Sequence, residues 1–254
     1  MRVVTNKKLA RRNRQITNYL FFGTFGVLIL GFFFINSSLF TKETPTPMVI
    51  LLQTAVLPVA FILTIVSVRM TNLWARMPRP ETAIEDGLKG LSNKSVLYNY
   101  YHFPARHVLI CPQGVFAITT RWHDQEFTIS DGKFKSHKNM FSKFFSAIRF
   151  DGIGKPFEDA NHAVNHVQKA LASIAPEVQV QPLVVFVDPS ATLHIEDTSI
   201  PIVFADTKTK PTLKDYMRDV KRQLGDADGD TKNTNTMPLT EEQIEAFEQA
   251  TIQK

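Results

Sequence analysis

Val96–Trp122 reads VLYNYYHFPARHVLICPQGVFAITTRW, and the punctuation of this stretch decides the fold. Three strand-like runs, Val96 to Phe103, His107 to Cys111 and Gly114 to Trp122, are rich in β-branched and aromatic residues. Pro112-Gln113-Gly114 between the last two is a tight-turn signal, so those runs should form an antiparallel hairpin. Val115 to Ile118 is apolar at both parities, as a central strand covered on two faces requires.

Outward from this meander, Thr82 to Leu91 carries Ile84, Leu88 and Leu91 at helical spacing. Glu126 to Ile129 and Lys133 to Lys135, joined by Ser130-Asp131-Gly132, read as a second short hairpin. Phe157, Ala160, Val164, Val167, Leu171 and Ile174 then form one apolar stripe on a helix that Pro156 opens and Pro176 stops. Pro182 to Val187 is a buried strand, followed by Leu193 to Ile195, Ile200 to Ala205, and a helix over Thr212 to Leu224 ending at Gly225. Helix, three-strand meander, helix, strand, strand, helix predicts one α/β domain over residues 81–224 with a mixed central sheet.

Residues 225–238 are polar and read as a flexible linker. Residues 239–254 hold a short helix, Glu241 to Ala250, announced by a Thr240/Gln243 capping box. The acids from Asp226 to Asp230 resemble the opening of an EF-hand loop. Thr231 at the turn position and Met237 at the bidentate position break that pattern, so calcium is not expected.

Before the domain stand two runs without a charged side chain, Tyr19 to Phe40 and Met48 to Val68. Each is long enough to cross a hydrocarbon core of roughly 30 Å. The first is too long for the apolar part of a signal peptide, and no small-residue cleavage pattern follows. The expected organisation is a basic tail over 1–18, a transmembrane helix over 19–40, an external turn over 41–47 and a second helix over 48–68. Arg2, Lys7, Lys8, Arg11, Arg12 and Arg14 precede the first span, and Arg69, Arg76 and Arg79 follow the second, whereas the turn holds only Lys42 and Glu43. By the positive-inside rule both termini and the soluble domain face the cytoplasm of a cell membrane. The single cysteine, Cys111, rules out an intramolecular disulfide and suits a reducing compartment.

The net charge of +5 belongs to the anchor. Residues 81–254 carry 19 Lys/Arg against 23 acids, so the part that folds in water is mildly acidic. Whole-chain charge therefore gives no support to nucleic acid as a partner. The bilayer is the expected partner, with anionic lipid at the basic tail.

The segments PETAIEDGLKGL, LYNYYHFPARHVLICPQGVFAITTRW, the Pro156 helix and VQPLVVFVD resemble the nuclease-related domain, a branch of the restriction-endonuclease-like superfamily. The strand, P-x-G turn and strand of HVLICPQGVFAI carry the most specific part of the likeness, which covers Glu81 to Phe186. Active members are expected to hold a divalent metal with a Glu on the first helix, an Asp opening the hairpin and the Glu of an E-x-K on its second strand. The E-x-K lysine steadies the nucleophile or the developing charge. In this sequence Glu81 matches the helix acid, Arg106 stands at the Asp, Thr119 at the Glu and Arg121 at the Lys. A guanidinium repels Mg²⁺ and a hydroxyl is a poor substitute for a carboxylate, so catalysis is not expected. Arg106 and Arg121 could instead hold an anion. The enzyme alternative is a tethered Mg²⁺- or Mn²⁺-dependent nuclease using Asp124 and Glu126 as displaced acids; otherwise no cofactor and no metal is expected.

Two further groups stand out. His162 and His166, with Asp159 nearby, lie four apart on the side of the helix opposite its apolar stripe, where no third strong ligand is fixed. In 136–150, Met140, Phe141, Phe144, Phe145 and Ile148 make an aromatic face bordered by Lys138, Lys143 and Arg149. That face fits an amphipathic helix on an anionic leaflet, packing onto the domain, or contact with a second copy or another protein.

Overall fold

The computed structural model describes residues 1–37, 44–130, 132–136, 153–228 and 236–252. They form two units. One is the helical segment within Lys7–Met77, and the other combines Met1–Asn6 with the residues from Pro78 onward.

The helical unit is an antiparallel pair, α1 (Lys7–Ile35) and α2 (Pro47–Trp74). Both helices are long and apolar enough to cross a membrane, and their apolar windows are only 11% and 6% buried, unlike a soluble core helix. Each begins before its expected apolar run: α1 takes in most of the basic tail, and α2 continues past Val68 to Trp74. The pairing is set by small residues. Ala10, Thr17, Thr24 and Gly31 are the buried residues of α1, spaced by seven, the repeat of a seam between two helices. A Cβ on Gly31 would sit 2.7 Å from Val56 Cγ1, so a side chain there would force Val56 to shift. Thr24 Oγ1 and Thr17 Oγ1 reach the carbonyls of Leu63 and Met70 at 3.5 and 3.4 Å, and Gln53 Nε2 donates to Phe34 O at 3.0 Å. Of the expected external turn, residues 41–43 lie outside the described residues.

The second unit is the α/β domain. Its main sheet has the order β1-β2-β3-β4-β7-β9, from Arg2–Thr5, Val96–His102, Ala105–Cys111, Gly114–Arg121, Val180–Phe186 and Ile202–Phe204. β2, β3 and β4 are the antiparallel meander, while β1, β7 and β9 join in parallel, so the sheet is mixed as expected. Pro182 is tolerated in β7 for a simple reason. Val184 N donates towards β9, to Pro201 O, so the missing N–H of Pro182 would point the same way, beyond the reach of β9.

Strand alternation divides the core. On one face Tyr98, Val108, Ile110, Val115 and Ala117 pack against α4 (Pro156–Leu171) and α6 (Glu241–Thr251) through Ala163, Val167, Ile244 and Phe247. On the other face Leu97, Leu109, Phe116, Ile118 and Val185 meet α3 (Pro80–Gly87) and α5 (Leu213–Asp228) through Ile84, Leu213 and Met217. Gly87 ends α3 where a Cβ would lie 2.6 Å from Ala205 O, so the helix closes onto the sheet only without a side chain there. A small sheet, β6-β5-β8 (Lys133–Ser136, Glu126–Ser130, Thr192–Ile195), packs Phe127 and Ile129 against Phe186 and Phe204.

Three expectations need correction. Arg2–Thr5 is not free tail but the edge strand of the sheet, with Arg2 N and Asn6 N donating to Ser95 O and Asn99 O. The C-terminal helix is not separate from the domain, because Ile244 and Phe247 are buried in its core. The fifth helix runs past Gly225 to Asp228; residues 229–235 of the expected linker lie outside the described residues. In α4 the apolar stripe holds, with Ala163 buried beside it and Ile174 beyond the helix end.

Candidate functional site

The hairpin register assembles three of the four positions to which the resemblance points. His107 pairs with Ile118, so Arg106 and Thr119 are the next cross-strand neighbours, on the α4 side shared by Val108 and Ala117. Arg121, two residues beyond Thr119, lies on the same side. Where the resemblance implies a carboxylate pair and a lysine, the strands present a guanidinium, a hydroxyl and a second guanidinium.

Arg121 is already occupied. Nε donates to Ile153 O and Nη1 to Thr120 O, both at 3.0 Å, and Nη2 pairs with the carboxylate of Asp159 in the first turn of α4. The side chain is only 13% exposed, against 58% for Asp159. Burial pulls the guanidinium below its ordinary pKa, and Asp159 pushes it back up. Arg121 thus ties the end of β4 to the start of α4.

Glu81 belongs to the other face, because Ile84 on its helix packs with Phe116 and Ile118. Its Oε2 accepts from the Tyr100 hydroxyl at 2.6 Å. Tyr100 is 2% exposed and has φ of +67°, an uncommon conformation for a residue with a side chain, where β2 is irregular. Its ring lies edge-on to the His107 imidazole at 5.2 Å.

His107 heads a buried chain. Its Nδ1 lies 2.7 Å from Asn99 Oδ1, and Asn99 Nδ2 donates to Thr5 Oγ1 at 3.0 Å. Asn99 Oδ1 is an acceptor, so the proton sits on Nδ1 of a neutral imidazole, and Nε2 is buried without a hydrogen-bond partner. Burial, with the neighbouring Arg106 adding to it, pulls the His107 pKa down to about 3. Sequence reading missed this chain because Thr5 joins it only through β1; the β-branched run Val3-Val4-Thr5 was the available signal.

The alternative acids are dispersed. Asp124 is exposed past the end of β4, and Glu126 opens β5 in the small sheet, where it pairs with His194 Nε2 at 3.0 Å. His162 and His166 are exposed on α4, as their spacing implied. Among the described residues no group of three His, Cys, Asp or Glu side chains converges to hold a metal. The face made by Met140, Phe141, Phe144, Phe145, Ile148, Lys138, Lys143 and Arg149 lies outside the described residues.

A meander flanked by helices on both faces, followed by a parallel strand, makes this a restriction-endonuclease-like α/β domain. Residues 79–187 match the family model described as Nuclease-related domain, so the chain carries a nuclease-related domain over α3 to β7. No curated protein and no solved structure matches the chain. β1, β9, α5 and α6 lie outside the matched residues yet complete the same sheet and its two helical layers.

Proposed function

We propose that a two-span anchor holds this nuclease-related domain at the cytoplasmic face of a membrane, where it acts by binding or scaffolding and not by cleavage. The observation that carries the reading is the register that sets Arg106 beside Thr119. A divalent ion there would meet positive charge on one strand and a neutral hydroxyl on the other. The buried engagement of Arg121 supports a structural role for the remaining position.

Connectivity supports the topology independently of flanking charge. β1 precedes the helical pair and α3 follows it, yet both belong to one folded domain. If both helices span, their outer ends must return to the same side, and the basic flanks make that side cytoplasmic.

Three measurements test these points. The chain should stay in the membrane pellet after alkaline extraction. Tags at either terminus should be reached by protease only after the membrane is opened. Purified full-length protein in detergent should leave DNA and RNA intact in Mg²⁺ or Mn²⁺; cleavage lost on Asp124→Ala or Glu126→Ala would establish the displaced-acid nuclease instead.

A further inference from the structure

We propose that the first turns of α1 form a binding face for anionic phospholipid headgroups, a reading that rests on the two-span anchor. Lys7, Lys8, Arg11 and Arg12 are all exposed, and their positions i, i+1, i+4 and i+5 place them on one side of the helix. None of the four pairs with an acid among the described residues, and no acid precedes Glu43 in the sequence.

Depth follows from helix length. α1 has 29 residues, about 43 Å at 1.5 Å each, which exceeds a hydrocarbon core of roughly 30 Å. The excess lies at the basic end, because the uncharged run starts at Tyr19. Tyr19 is 76% exposed, and Arg14 Nε donates to Trp74 O at 3.3 Å, which brings the end of α2 to the level of Arg14. Tyr and Trp are the side chains that settle at a membrane–water boundary. Counting outward from Tyr19, Arg12 lies about 10 Å and Lys7 about 18 Å along the helix, just above a polar layer about 5–8 Å deep. Arg11 and Arg12 thus reach back to the phosphates along their aliphatic stems, and Lys7 and Lys8 act from the water above.

The chemistry suits a phosphodiester headgroup. Arg11 and Arg12 present planar forks that donate to two phosphate oxygens, while Lys7 and Lys8 supply point charges one layer out. Each basic group near an anionic leaflet favours it by about fivefold, and four on one face act on the same few lipids.

The full chain, purified in detergent, would be placed in nanodiscs of phosphatidylcholine and phosphatidylglycerol at equal parts, then partly delipidated. Mass spectrometry would count the lipids retained. Phosphatidylglycerol should be enriched about fivefold or more over the input. The enrichment should fall to the input ratio in K7Q/K8Q/R11Q/R12Q and persist in K7R/K8R/R11K/R12K. Circular dichroism of each variant would show that α1 remains helical. Retention at the input ratio in the native chain, or unchanged enrichment in the glutamine variant, overturns the proposal. Release of the native chain by alkaline extraction would instead overturn the anchor reading.

Discussion

Arg2 and Glu248 form an ion pair, joining residues 246 positions apart in the chain. Glu248 also accepts a hydrogen bond from Tyr98 at 2.7 Å, and burial followed by that carboxylate raises the phenol's pKa. The neighbouring Phe247 is fully buried, edge-on to Tyr98 at 5.8 Å and stacked on His102 at 4.8 Å. α6 is thus held to β2 by an apolar plug, with a charged hydrogen bond at its rim. Phe247→Ala should cost about 3–5 kcal/mol through the cavity it leaves, whereas Tyr98→Phe should cost about 1–2 kcal/mol. Urea midpoints of the full chain in detergent, followed by proteolysis of the domain, would rank the two.

The edge strand can be tested by proline. Arg2 N and Asn6 N donate to β2, so Val4 N, at the same parity, points that way too, and Val3 N faces the open edge. Val4→Pro should destabilise the domain by about 1–3 kcal/mol by removing a ladder bond. Val3→Pro should cost clearly less. Equal effects, measured as hydrogen exchange at β2 amides, would refute the pairing.

In the helical pair, Gly31 and Gly26 make opposite predictions. A side chain at Gly31 collides with Val56, while one at Gly26 meets nothing within 4 Å. Gly31→Leu should loosen the pair by about 1–3 kcal/mol, the usual range for overpacking. Gly26→Leu should change little. A thiol pair replacing Thr17 and Met70 would report the difference as lost cross-linking in the Gly31 variant alone.

His107 gives the domain a pH dependence with a definite sign. Its pKa is about 3 in the fold and near 6.5 when unfolded, so between those values the unfolded chain binds the extra proton. The imidazole's stabilising effect is complete above pH 6.5 and is lost as pH falls below it, by up to about 1.4 kcal/mol per pH unit. His102, pulled down to about 4 by burial and by His166, adds in the same direction. Denaturant midpoints at pH 5, 6 and 7, read from Trp122 fluorescence in a Trp74→Phe background, should fall with acidity. His107→Gln should flatten the slope by about one proton; an unchanged slope would mean that His107 titrates normally.

Much of this was legible in the chain. The P-x-G hairpin, the α4 stripe and the Thr240 capping box are local signals, each set by a period or a turn, and each appears within a few residues of its expected place, while the uncharged runs fall on α1 and α2 although α1 begins twelve residues before Tyr19. That Arg106, Thr119 and Arg121 share one side of the hairpin was equally plain, because strand parity fixes which residues share a face. The partner of Arg121 was not legible. Asp159 is 38 residues away, on a helix whose polar side gives no hint of which acid meets β4.

By itself, then, the order of residues determined which segments are apolar helices, where the meander turns, and which charges stand at the hairpin. Only the tertiary structure decided that Arg2–Thr5 and Glu241–Thr251 complete the domain. The physical reason is range. Periodicity and turn chemistry act over a few residues, whereas a parallel edge strand and a helix plugged by Phe247 are chosen by pairing and burial against residues far along the chain.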